Sequence, residues 1–264
     1  MLRSMYSGVS GMKNFQTKLD VIGNNISNVN TVGYKKSTIN FQDLLSQNMS
    51  SSGANPMQVG LGSVTSSINV NHNAGSLMST GVGTDLAIMG DGFFVVQDPK
   101  ATAPAGQYLT RAGNFTVTAA GDLVTAQGYK VLNNAGNTIK INASTYSSFS
   151  INREGQIIGK KISDGKDENL IGGLIGVAAP ANPEGLSKIG GSLYQMTASA
   201  GNDMKLGSAT DAKTEIGSGM LEMSNVDLTE EFTEMIIAQR GFQANSKTIT
   251  TSDEILQEIM NLKR

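Results

Sequence analysis

The chain has 264 residues, of which 16% are charged and 5% aromatic, with 31 glycines, no cysteine and a formal net charge of -2. The absence of cysteine excludes disulfides, thiolate metal sites and cysteine nucleophiles. A pI near 5.5, with no basic cluster larger than Lys35-Lys36 or Lys160-Lys161, speaks against a nucleic-acid or anionic-membrane surface.

In chain order, the first element is a helix. Leu2, Met5, Val9, Met12, Phe15, Leu19, Ile22, Ile26 and Val29 recur every three or four residues and so share one face. Gly8, Gly11 and Gly23 interrupt it, each costing about 1 kcal/mol of helix propensity, so this helix is expected to fray in isolation. Its start lacks the layered pattern of a cleavable signal peptide, and targeting signals alone point to the cytosol unless export uses a route that reads no cleaved signal. The run from Leu170 to Ala179 is too short and too glycine-broken to cross a bilayer, so no membrane insertion is expected. The stop chemistry at Asn28, Asn30, Thr31 and Gly33, before Tyr34, ends the helix near residue 33.

Residues 34–63 read as an extended linker, flexible from Ser46 to Gly62 on its Ser/Gly/Asn/Pro content. Residues 64–219 read as a β-rich domain of short strands separated by turn signals such as Gly121-Asp122, Asp164-Gly165 and a tight hairpin at Gly90-Asp91-Gly92 between Leu86–Met89 and Phe93–Val96. From 220 to 264 the pattern is helical again. Asp227 and Glu230 form a capping-box pattern, Glu231 and Glu234 suit the positive end of the helix dipole, and Lys263 and Arg264 suit the other end. The heptad seam through Phe232, Met235, Phe242, Ile249, Leu256 and Met260 leaves Ile236, Ile255 and Ile259 outside it. The fold class is therefore α+β: two terminal heptad helices forming a coiled-coil-like stalk, with a mainly antiparallel β domain inserted between them. Apolar positions left over by one pairing imply further neighbours, as in a polymer-forming chain.

Catalytic constellations are absent from the pattern. His72, the single histidine, reads as a solvated loop residue, and the Gly-rich stretches at Gly60-Leu-Gly62 and Gly81-Val-Gly83 lack the strand-turn-helix context of a dinucleotide site. The Asp164–Glu168 carboxylates lack calcium-loop spacing, and Asn25, Asn48, Asn114 and Asn142 open chance glycosylation triplets. No catalytic residue, cofactor or metal is expected.

Several stretches resemble bacterial flagellar rod and hook proteins. They are Gly8–Met12, Leu19–Lys35, Leu86–Phe94, Thr110–Phe115, Glu222–Leu228 and Ala238–Ile249, together covering both ends and the middle of the chain. Within that family, the ending Ser252–Arg264 is most similar to a compact hook protein with a single outer domain, and the distal rod protein is the alternative. The resemblance implies a structural subunit that polymerises with itself into a tube. It implies contacts with other axial proteins (rod, hook cap, hook-filament junction) and export by the flagellar type III apparatus. It also implies that a hook bends while a rod stays stiff, the two differing in the region from about Ser37 to Thr80. A surface adhesin or binding module is a remote reading, and an enzyme remoter still.

Overall fold

A computed structural model describes residues 2–50, 57–100, 106–141, 146–162, 167–201, 206–209 and 214–262. The Asn142 triplet, the Asp164-Gly165 turn and Lys263-Arg264 lie outside these. The chain forms two compact units: residues 1–28, 36–71 and 226–264 make a helical unit, and residues 29–35 and 72–225 make a β-rich unit.

In the helical unit, helix α1 (Leu2–Ser27) and helix α2 (Leu228–Leu262) pack along one another. The pairing is antiparallel, because Phe15 lies on Gly241, Asn245 on Gly11, and Thr248 and Ile249 on Gly8. Two of the three glycines that weaken α1 in isolation, Gly8 and Gly11, are therefore where α2 comes close, whereas Gly23 has open space around it. A Cβ on Gly11 would sit 2.9–3.0 Å from the Asn245 side chain, and one on Gly241 would sit 2.5–2.8 Å from Phe15 ring atoms. Ala238 and Ser252 are buried on the same line of α2. The backbones approach because each of these glycines leaves room for a side chain of the other helix, Asn245 on Gly11 and Phe15 on Gly241, and this contact offsets the propensity cost.

Residues 37–50 and 57–70 form a long antiparallel arm against α1. Ser37–Asp43 pairs with Ser63–Val70, and Ser46–Ser50 with Met57–Gly60. The tract expected to be flexible thus has its backbone hydrogen bonds in ladders on both sides of residues 51–56, which lie outside the described residues. Asn14 ties α1 to the arm, donating to Ser63 Oγ at 2.8 Å, and Phe15 meets the Phe41 ring at 6.4 Å.

The β-rich unit is built on a nine-stranded sheet in which Phe93–Gln97 is central, flanked by Gln107–Thr110 and Lys130–Val131. Its core includes Phe94, Phe115, Leu123, Val131 and Ile175. All registered strand pairs are antiparallel, as in Val95 opposite Leu109. The hairpin expected at Gly90–Gly92 does not form. Leu86–Met89 pairs instead with Glu215–Ser218, because both edges of Phe93–Gln97 are already taken. His72 is likewise not a solvated loop residue. Its ring meets Phe93 and Tyr194 edge-on, each at 5.5 Å, and burial, with Lys35, Arg111 and Lys188 nearby, pushes its pKa down to about 4.

Candidate assembly interface

The apolar positions of the two helices divide between those packed within the unit and those left to solvent. On α1, Ile22 is buried, and Met5, Met12, Phe15, Leu19 and Ile26 are half-buried, while Val9 is exposed. Leu2 opens the helix, but its side chain is not among those described. On α2, Met235, Ile249 and Leu256 are half-buried. Phe232, Ile236, Phe242 and Met260 are exposed, as are Ile255 and Ile259. The line of α2 that meets α1 runs through Glu231, Ala238, Asn245 and Ser252, one residue round from Phe232, Gln239, Ser246 and Asp253. Large apolar residues would hold the two backbones apart, so the smaller ones face inward and the larger ones outward. That leaves an extensive apolar surface uncovered, which is the mark of an interaction surface.

Charged groups fasten the start of α2. Asp227 Oδ1 accepts hydrogen bonds from the backbone N–H groups of Thr229 at 2.7 Å and Glu230 at 3.4 Å, the geometry of an N-cap. The neighbouring glutamates do more than complement the helix dipole: Glu230 and Glu231 both pair with Lys36, at 2.8 and 3.1 Å, and Glu234 pairs with Lys18. Burial alone would lower the Lys36 pKa, but the hydrogen bonds and charges of the two glutamates raise it.

Asn25 joins three segments of this unit. Its amide donates to the Ser37 carbonyl at 2.9 Å and to Glu231 Oε2 at 3.2 Å, and its oxygen accepts from the Ser37 N–H at 3.0 Å. Replacing Asn25 by alanine strands these buried groups and should destabilise the helical unit by about 3 kcal/mol. A lower urea midpoint, followed by far-UV circular dichroism, would show it.

The cap also makes the start of α2 sensitive to acid. Hydrogen bonds from Thr229 and Glu230 hold the Asp227 pKa below the ordinary carboxylate value. A depressed folded-state pKa means the cap is fully effective above the unfolded value and is lost as pH falls through the folded one. Amide exchange at Thr229 and Glu230 should accelerate below the ordinary aspartate range, beyond the intrinsic pH dependence, and Asp227→Asn should flatten that response.

In the β-rich unit, the loop after α1 is an integral part of the fold. Gly33 holds φ at 66° and donates its N–H to the Glu222 carbonyl at 2.8 Å. Tyr34 is buried beneath Lys188, whose Nζ lies 4.0 Å from the ring centroid. Thr31 accepts the Tyr34 N–H, Val29 is half-buried and Asn30 faces solvent. Asn28, in the helical unit, ends α1 by bonding back to Asn24.

Next to this loop, three charges meet in the interior. Lys35 Nζ donates to Glu222 Oε1 at 2.6 Å and to the Asn73 carbonyl at 2.7 Å. Arg111 donates to Glu222 Oε2 at 3.1 Å and to the Gly90 carbonyl at 2.8 Å, with its guanidinium 5.2 Å from the Phe93 ring centroid. Burial would raise the Glu222 pKa, but Arg111, Lys35 and the Gly75 N–H together hold it low. None of these charged residues was singled out from sequence. The available signal was that each sits inside a motif stretch, Lys35 in Leu19–Lys35, Arg111 in Thr110–Phe115 and Glu222 in Glu222–Leu228.

Family models match at three places. Residues 5–35 match "Flagella basal body rod protein", residues 87–159 match "Flagellar hook protein FlgE/F/G D1 domain", and residues 218–262 match "Flagellar basal body rod FlgEFG protein C-terminal". Over 273 aligned positions the chain is 52% identical to the flagellar basal-body rod protein FlgG of Bacillus subtilis, covering 100% of both. The chain belongs to the flagellar rod and hook axial protein family.

This axial protein is 38% identical to FlgG of Borreliella burgdorferi over 274 positions, and 29% identical to the flagellar hook protein FlgE of the same organism over 447, with 100% of each chain covered. The solved Helicobacter pylori hook protein FlgE2 matches 64% of this chain and 47% of its own, at 17% identity and a TM-score of 0.23. Membership makes the chain a structural subunit of the flagellum and not an enzyme. Among the described residues, no helix is long and apolar enough to cross a membrane.

Proposed function

We propose that this chain is the distal rod subunit of the flagellar basal body, a stiff drive-shaft element, and not the hook subunit that its C-terminal ending suggests. The observation that carries this reading is collinearity. The rod proteins of B. subtilis and B. burgdorferi align with the 264 residues over 273 and 274 positions, whereas the B. burgdorferi hook protein needs 447. The hook relative therefore carries extra sequence for which this chain has no counterpart.

The arm of residues 37–50 and 57–70 supports the same reading. A tract whose composition suggests slack is instead paired in register, Ser46 with Gly60 and Asn48 with Gln58. Strands held by ladder hydrogen bonds resist bending more than a Ser/Gly linker does. In the assembled tube, α1 and α2 form the inner layer and bury their exposed apolar residues against other copies. Further contacts join the tube to other axial proteins, and the subunit leaves the cell through the type III export apparatus.

Immunogold electron microscopy of purified basal bodies, with antibody to the whole chain, tests the assignment. Label along the straight shaft within the envelope is expected. Label confined to the curved segment outside would return the assignment to the hook.

A further inference from the structure

Lys35 and Glu222 are 187 positions apart, and Arg111 lies between them in sequence. The side chains of Lys35, Glu222 and Arg111 are 0%, 1% and 2% exposed, respectively. One carboxylate serves both cations, and it belongs to the segment by which the chain leaves the β-rich unit. The segment by which the chain enters supplies Lys35 and Tyr34. Until Glu222 is in place, closing the unit would bring two cations into its interior with no counter-charge, and an unpaired buried charge opposes folding far more than a paired one supports it. We propose that Lys35, Arg111 and Glu222 form a clasp that lets the β-rich unit close only when its entering and returning segments are both docked.

The clasp has consequences for where the unit ends. Residues 72–219 contain most of the strands but neither Lys35 nor Glu222, so that stretch is not self-sufficient. The smallest piece with its charges compensated runs from the loop at Val29–Lys35 through Asn225, whose amide also holds the Asn73 carbonyl at 3.1 Å. The adjacent lysines divide the work. Lys35 fastens the β-rich unit to Glu222, and Lys36 fastens the helical unit to Glu230 and Glu231, so each unit is tied at its own boundary to the returning chain. This inference holds for a rod or a hook subunit alike.

The test uses full-length chain as dilute monomer, and reads proteolytic cleavage within the β-rich unit as the population of its open form. Glu222→Gln keeps the volume and the Gly75 contact but removes the counter-charge. Opening should increase about a hundredfold or more, the size expected on breaking a buried ion cluster. Adding Lys35→Met and Arg111→Met removes the stranded cations, and the triple variant should open at least about tenfold less than Glu222→Gln. The control is Lys130→Met, which breaks the more exposed Lys130–Asp122 pair and should change opening by less than about fivefold. The clasp is overturned if Glu222→Gln opens no more than the control, or if the triple variant opens as much as Glu222→Gln. Should Glu222→Gln yield no folded protein, recovery of a closed triple variant supports the clasp, and failure to recover it overturns the clasp.

Discussion

Gly113→Ala should abolish the native β-rich unit, or leave it destabilised by more than about 4 kcal/mol, beyond the usual range for a single substitution. The cause is space. A Cβ at this position would overlap the Leu86 carbonyl, a backbone atom that no rotamer change can move. The Gly113 carbonyl meanwhile accepts the Leu86 N–H at 3.0 Å, so the two chains are already bonded at their closest approach. Relief would require moving Leu86–Met89 off Glu215–Ser218, or displacing Phe115, whose ring packs on Phe94 at 5.2 Å. Gly83→Ala, in the same unit with open space around the new methyl, should shift stability by no more than about 0.5 kcal/mol. Thermal unfolding of the two variants beside the parent would show whether the effect belongs to Gly113 or to glycine replacement in general.

The same position shows what local sequence can and cannot reveal. The stretch Thr110–Phe115 is recognisable as a motif, but the reason it cannot carry a side chain at Gly113 is Leu86, a residue distant in sequence. Strand content was legible because alternating apolar runs and turn residues are local properties. Pairing was not: Asp91-Gly92 carries the signal of a hairpin, yet Leu86–Met89 finds its partner in Glu215–Ser218. The arm was misread for a related reason. Its polar composition lacks a core-facing alternation, and backbone ladders, which composition does not report, hold it.

The helices show the complementary case. The existence of both helices was legible, as was the α2 cap at Asp227, although α1 stops at Ser27 and not near residue 33, and Met220–Glu222 is a strand ahead of α2. Which face meets which partner was not, because apolar periodicity identifies surfaces to be buried without saying whether the partner is the same chain or another. The better signal for the internal contact was the small residues. Gly8 and Gly11 on α1, and Ala238 and Gly241 on α2, mark where the helices meet, and the close contact offsets the low helix propensity of the three glycines. The charged residues lay hidden for another reason. Lys35, Arg111 and Glu222 are distant in sequence, and only the fold makes one buried group of them.

Assembly should fail, with the monomer intact, when Phe232, Ile236, Ile255 and Ile259 are all changed to glutamine. These residues form two i, i+4 pairs near the two ends of α2, and they are 51%, 59%, 48% and 50% exposed. Glutamine keeps good helix propensity, and none of the four lies on the line that packs against α1, so circular dichroism and the urea midpoint should match the parent. Burying the remaining half of each side chain against another copy contributes about 1 kcal/mol, so the four together should raise the critical concentration for polymerisation about a thousandfold. Met235→Gln supplies the contrast, since Met235 is half-buried beside the α1 contact and its loss should lower monomer stability directly. Sedimentation of polymer across a concentration series separates the two effects. If the fourfold variant polymerised at the parent concentration, this face of α2 would not be the surface that joins subunits, and the apolar residues exposed on α1, beginning with Val9, would be the ones to change next.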